Sequence, residues 1–212
     1  MKNNPFEQYT HEYEEWFKEN EVAFRSELLA LKQMIPPGKN GLEIGIGSGI
    51  FARELGIAQG IDPSGNMLQL ARDRGLKVVK GTAEELPFAD SSFDYAAFIT
   101  SLCFIEHPLQ ALREAYRVVK SRGDLIVAII DKESPLGKSL GKVKEESRFY
   151  KDARFYSVTE MVSLIENSHF EITGMVQTLI DINADTPEDP VEGSGKGGFV
   201  VIRAKKKSRF ED

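Results

Sequence analysis

The segment Leu42-Glu-Ile-Gly-Ile-Gly-Ser-Gly-Ile-Phe51 constrains the chain most, because a short apolar run breaks into glycines at alternate positions, Gly45, Gly47 and Gly49, before an apolar helical pattern begins. Glycine adopts positive φ without a Cβ penalty. This spacing therefore predicts a strand that ends in a tight turn and feeds a helix, with main chain open to close approach by a ligand. A bare glycine loop is weak evidence, but two acids strengthen it. Glu43 lies two residues before Gly45, and Asp62 ends the next predicted strand, 17 positions beyond Gly45, where a carboxylate can accept both hydroxyls of a ribose.

Similar short runs recur along the chain. Residues 41–45, 58–62, 77–80, 93–99 and 125–131 read as strands with helical patterns between most of them. Strands alternating with helices predict an α/β fold of parallel strands joined by right-handed crossovers and buried on both faces, which accounts for a run as uniformly apolar as Leu125 to Ile130. Upstream, Tyr9, Tyr13, Trp16 and Phe17 among glutamates predict an amphipathic helix with an aromatic face. Phe24, Leu28, Leu31 and Ile35 predict a second helix, packed on a core and stopped by Pro36-Pro37-Gly38. Downstream, Pro108 opens a helix expected to end near Gly123. Ser157-Val-Thr-Glu160 has capping-box spacing for another ending around Ser168, and strands at 170–179 and 199–204 close the pattern. Residues 181–198, with five acids, two prolines and a Gly-Ser-Gly-Lys-Gly-Gly run, read as a long mobile connection.

Composition sets the outer bounds. The 212 residues fit one domain, and 41% apolar with 28% charged residues excludes disorder as the main state. The single cysteine, Cys103, excludes internal disulfides, and with three histidines it cannot build the usual cysteine-rich zinc sites, so no metal and a reducing, cytoplasmic location are expected. The N-terminus lacks an apolar signal core and no apolar run approaches the roughly 20 residues of a membrane span, so neither secretion nor membrane partners are expected. A net charge of −6 has the wrong sign for nucleic-acid backbones and favours a small-molecule partner. The basic run Lys205, Lys206, Lys207 and Arg209 reads as a solvated tail.

With these residues assembled, the sequence resembles the class I S-adenosylmethionine (AdoMet)-dependent methyltransferases, in the small-molecule branch that includes the ubiquinone and menaquinone biosynthesis enzymes. The resemblance rests on Glu43-x-Gly45-x-Gly47-x-Gly49, on Asp62-Pro-Ser-Gly-Asn-Met67, and on Gly81-Thr-Ala-Glu-Glu-Leu-Pro-Phe88 through Asp94, and it covers residues 40–131. It implies a Rossmann-like, seven-stranded, mostly parallel sheet of order 3-2-1-4-5-7-6, strand seven antiparallel, with helices on both faces. It further implies that Gly45, Gly47 and Gly49 pass beneath the methionine part and ribose, that Glu43 orders the loop and reaches the amino group, and that Asp62 binds the ribose. Met67 would pack on adenine, the Ala83 N–H would meet a ring nitrogen, and Thr82 would stand where many relatives place an aspartate. Thr100 would line the methionine moiety, and Tyr13 would cover the cofactor's carboxylate end or simply pack in the core. AdoMet would leave as S-adenosyl-L-homocysteine.

On this reading residues 1–39 form an N-terminal helical cap, 40–131 the AdoMet-binding core, 132–156 a substrate cap, and 157–212 a final helix and strand hairpin, all in one methyltransferase domain. The expected activity is methyl transfer to a small-molecule acceptor by in-line displacement, achieved mainly by positioning. No catalytic residue is assigned. His107 is either a base for the acceptor or a helix-start residue, and Cys103 reads as an apolar filler. The 132–156 segment carries seven bases against four acids, interleaved with Phe149, Tyr150, Phe155 and Tyr156, which fits either a planar, weakly anionic acceptor or a solvated lysine-rich helix. The charge count also predicts a basic mouth to the active site. The alternatives are a protein that binds AdoMet without catalysis, and a NAD-dependent oxidoreductase suggested by Gly47-Ser-Gly49-Ile-Phe-Ala52.

Overall fold

Apolar residues at every position of a strand need cover on both sides, and the computed structural model, which describes residues 4–207, supplies it. In β5 (Val119–Ile130), Leu125, Val127 and Ile129 enter one core while Ile126 and Ala128 enter the other. β4 (Phe93–Ile99) divides in the same way, with Ala96 and Phe98 opposite Tyr95, Ala97 and Ile99. Helices α6 (Pro108–Val118) and α8 (Val158–Glu166) close the first face. Helices α3 (Glu21–Met34), α4 (Ile50–Leu55) and α5 (Gly65–Asp73) close the second.

The sheet also contains β1 (Gly41–Ile44), β2 (Gln59–Asp62), β3 (Lys77–Lys80), β6 (Phe170–Thr178), β7 (Val191–Glu192) and β8 (Phe199–Lys206), in the order β3-β2-β1-β4-β5-β8-β6-β7. Pairings from β3 through β5 are parallel, and β8 lies antiparallel between β5 and β6. The expected order holds, with one addition. The two-residue β7 pairs antiparallel with β6 at the sheet edge, so there are eight strands rather than seven. The β1 and β2 turns, where strand order reverses against β4, form the crevice in which open α/β sheets bind ligands.

Three local expectations are corrected. Helix α6 ends at Val118 instead of near Gly123, because Val119 turns extended (φ −79°, ψ 136°) and pairs with Phe93, while the Lys206 ammonium donates to the Tyr116 and Val119 carbonyls, 2.6 Å each. Gly123 instead serves the irregularity in β5, where a Cβ would lie 2.6 Å from the Asp94 carbonyl oxygen. Lys205 and Lys206 belong to β8, with Lys205 bound to Asp124, so they are not a solvated tail; Arg209 lies outside the described residues. The 181–198 connection is held by side chains. Glu188 accepts from the Ile180 and Asp181 N–H groups, and the Gln177 carbonyl oxygen accepts from the Lys196 and Gly197 N–H groups.

Near the N-terminus α1 (Pro5–Gln8) and α2 (Thr10–Glu19) precede α3. Helix α3 buries Leu28, Leu31 and Met34 and packs on β6 and β8. The α1 and α2 helices lie over the ligand crevice instead. Glu7 accepts from the Ser64 hydroxyl at 2.5 Å, Glu14 pairs with Arg74, and Arg74 also donates to the Ser48 carbonyl at 2.9 Å.

Candidate functional site

The turn after β1 takes the form its glycines predict. Gly45, Gly47 and Gly49 have φ of 76°, 54° and 75°, and the Gly45 and Ile46 N–H groups both donate to the Ile61 carbonyl, fastening the turn to β2. Two of the three positions also lack room for a side chain. A Cβ on Gly45 would stand 2.5 Å from that of Ser101, and one on Gly49 would stand 2.3 Å from the Leu76 methyl. Ser101 in turn donates to the Ile44 carbonyl at 2.7 Å, so the end of β4 braces the start of the turn.

Both predicted acids meet at this turn. Asp62 Oδ2 accepts from the Gly47 N–H at 2.9 Å and Oδ1 from the Ser64 N–H at 2.8 Å. Burial pushes the Asp62 carboxyl above its ordinary value, against the lowering effect of those two donors. Glu43 is 2% exposed, and its Oε2 is buried with no hydrogen-bond partner. Burial, with the neighbouring Asp62 charge, holds its carboxyl well above the usual carboxylate range. A buried acceptor left without a donor costs about 1–3 kcal/mol, so this oxygen is suited to a cationic or N–H group from a ligand.

Beside the turn lies a cavity of about 1550 Å³ whose wall includes Gly45, Gly47, Asp62, Thr82, Ala83 and Thr100. Pockets for one small ligand usually span about 300–1,000 Å³, so this volume admits two molecules side by side. Aromatic rings from three segments roof it. Phe6 meets Tyr13 at 5.8 Å, Phe104 at 4.9 Å and Phe149 at 5.4 Å between centroids, and Tyr150 stacks on Phe104. The Arg148 guanidinium, 2.9 Å from Glu12 and 4.9 Å above the Tyr9 ring, ties the segment after α7 (Pro135–Val143) to α2.

The structure separates the residues singled out from the sequence. Tyr13 stands over the glycine turn, where a Cβ on Gly47 would lie 3.8 Å from its hydroxyl; burial raises that phenol well above 10. Thr82, Ala83 and Thr100 line the cavity beside Gly45, Gly47 and Asp62. Three residues do not. Glu43 is buried on β1 behind the wall; Met67 is fully buried, and Pro63 lines the wall near it; Gly49 packs against Ala71 and Leu76 instead of facing the cavity. His107 is exposed and stands outside the cavity, its N–H 3.4 Å from Glu84. Cys103 does line it, but burial pushes its thiol to about 12, so it is no thiolate.

Three features escaped sequence reasoning. Thr100 is β-branched yet has φ of 49°, a strained conformation held by its N–H bond to the Ala128 carbonyl. Ser101 is the brace already described. Glu27, 5% exposed on α3, lines the far end of the cavity, and burial raises its carboxyl to about 8. A signal for Glu27 existed, since it is an acid on the same helical stripe as Phe24, Leu28 and Leu31. The expected basic mouth is also corrected. Of the seven bases in 132–156 only Arg154 lines the cavity, and the wall carries eleven acids against Lys18, Arg154 and His11.

Comparison with known proteins fits this geometry. Residues 42–127 match a family described as a methyltransferase domain. A crystal structure of a SAM-dependent methyltransferase from Thermotoga maritima, described further as a possible histamine N-methyltransferase, superposes with a TM-score of 0.93 at 47% identity, over 96% of this chain and 99% of that one. An uncharacterized protein of Methanocaldococcus jannaschii is 43% identical over 96% of this chain and 99% of its own length. A demethylmenaquinone methyltransferase of Listeria welshimeri is 34% identical over 54% of this chain and 53% of its own length. The oxidoreductase alternative loses support in the sheet, since antiparallel β8 stands beside β5 where a dinucleotide fold has its sixth parallel strand. A strand–glycine turn with two buried carboxylates, on a sheet whose antiparallel strand lies between β5 and β6, belongs together with these matches: the chain is a member of the S-adenosylmethionine-dependent methyltransferase family.

Proposed function

We propose that this protein transfers a methyl group to a small-molecule acceptor bound in the same cavity as the cofactor, with Asp62 on the cofactor's ribose and Glu43 on its amino group. The observation that carries this reading is the buried, unpartnered Glu43 Oε2 beneath a turn whose Gly47 N–H is fixed by Asp62. An ammonium group would satisfy that oxygen. Gly45 and Gly47 leave space for the ligand's methionine part, Thr82 and the Ala83 N–H supply polar groups for adenine, and Tyr13 and Thr100 close the methionine end.

When bound, AdoMet supplies a sulfonium-activated methyl group. The chain then needs chiefly to hold an acceptor lone pair in line with it, and such positioning can lower a barrier by roughly 7–11 kcal/mol. The rings of Phe6, Phe104, Phe149 and Tyr150 lie against one another over the cavity that Thr100 and Cys103 line, an apolar cover for the reacting groups. Enclosure by these rings and by α2 supports a small acceptor over a macromolecular one. Labelled AdoMet offered with panels of small acceptors tests the reading. Methylated product supports it, whereas tight S-adenosylhomocysteine binding with no turnover on any acceptor supports the non-catalytic alternative.

A further inference from the structure

We propose that the methyl acceptor is a small amine, whose protonated nitrogen is received by the Glu27 carboxylate at the α3 end of the cavity. The inference rests on the methyltransferase reading with the acceptor in this cavity, and adds the acceptor's chemical class. Glu27 is 5% exposed, lines the cavity, and makes no hydrogen bond or ion pair among the described residues. An acid buried without a partner is costly, and such groups are kept where a ligand supplies the partner. Its neighbours leave it unpaired, and the buried Tyr150 phenol makes no hydrogen bond with it. The adjacent Ser26 hydroxyl donates to the Val22 carbonyl and accepts from the Glu188 N–H, and both Glu188 oxygens are taken by backbone donors.

The rest of the wall points the same way. Eleven acids line the cavity against Lys18, Arg154 and His11; Lys18 pairs with Glu15 at 2.6 Å, Glu12 and Glu21 are paired with Arg148 and Arg25, and Arg154 lies 5.1 Å from the Tyr156 ring centre without an ion pair among the described residues. After these pairs the wall keeps an acidic balance, which favours a cationic acceptor over an anionic one. Trp16, Phe17 and Tyr150 add aromatic wall that favours a cation.

The reaction imposes a second demand that Glu27 meets. An ammonium nitrogen has no lone pair, so it must lose one proton before attack. Glu27 takes that proton; the freed pair forms the N–C bond as the C–S bond breaks with its electrons left on sulfur, and the proton passes from Glu27 to water when product leaves. In the ligand-free protein burial raises this carboxyl to about 8, so the ionised form that receives the ammonium is reached as pH rises to that value. Around it, Tyr150 and Cys103 are held protonated by burial, and Glu188 and Asp181 are the charged groups of the connecting segment on the cavity wall.

Calorimetric titration of the full-length protein, saturated with S-adenosylhomocysteine at pH 8.5, tests this directly. The probes are benzylamine, tryptamine and ethylamine, each against its matched alcohol, with benzoate as the anion. At least one amine is expected to bind about tenfold or more tightly than its alcohol, and Glu27→Gln to erase that preference while S-adenosylhomocysteine affinity, which also reports folding, stays within about twofold. Glu27→Asp should recover part of the preference. Equal binding of every amine and its alcohol, tighter binding of benzoate, or an amine preference retained by Glu27→Gln overturns the proposal. Failure of the wild type to bind S-adenosylhomocysteine overturns the cofactor reading itself, and this inference with it.

Discussion

The Gly47 N–H donates to Asp62 Oδ2 at 2.9 Å, so one buried carboxylate ties the turn after β1 to the end of β2. The same group is the one expected to receive the ribose, and it therefore both shapes the loop and meets the ligand. Asp62→Asn keeps the volume but weakens two charge-assisted bonds. We expect S-adenosylhomocysteine affinity to fall by about 10- to 100-fold, measured by calorimetry.

Gly45 faces Ser101 across a gap too small for a methyl group, at a φ of 76°. Gly45→Ala should cost about 1–3 kcal/mol from backbone strain, with the clash added. Ser101→Gly also removes the brace to the Ile44 carbonyl, so in urea unfolding the comparison is between that variant alone and the double variant. Against the Ser101→Gly background Gly45→Ala should cost only the strain portion, and no cost there would show that φ contributes nothing.

Much of this site was legible because glycine reports its own necessity. Gly45, Gly47 and Gly49 stand at positive φ, and only a chain built for such a turn places three glycines at alternate positions after an apolar run. Asp62 was legible by spacing, and Ser157 with Glu160 by the capping box, which the structure forms in full. The errors share a physical source. Met67 is at a motif position, yet whether a side chain faces a cavity or the core is decided by how α5 seats on the sheet, a tertiary choice; it went to the core. Charge summed over residues 132–156 gave no hint that most of its bases point away from the cavity. Glu27 was masked by the apolar residues around it, which made α3 look wholly structural.

Thr100 carries strain that no neighbouring sequence announces. Glycine accepts its φ of 49° freely, so Thr100→Gly should stabilise the protein by about 1 kcal/mol after allowing for glycine's larger unfolded-state entropy. Chemical denaturation checks this, and a loss of stability would show that the threonine side chain outweighs the strain.

Glu27 should make stability fall as pH rises. Unfolded, its carboxyl ionises near 4.5, whereas folded it stays protonated until about 8, so between these values the unfolded state binds fewer protons and is favoured by raising pH. The full effect is on the order of 3–5 kcal/mol. Glu27→Gln, which cannot ionise, should match the wild type at pH 4.5 and exceed it at pH 9 in urea unfolding. Parallel stability curves for the two proteins would contradict the burial of an unpaired acid.

The most direct test of the whole account is a crystal structure of the protein with S-adenosylhomocysteine. The account predicts the ribose hydroxyls on Asp62, the amino group within hydrogen-bond reach of Glu43 Oε2, and the sulfur facing the part of the cavity that leads to Tyr150 and Glu27. A ligand seated away from the glycine turn, or one whose amino group leaves Glu43 Oε2 unpartnered, would contradict it.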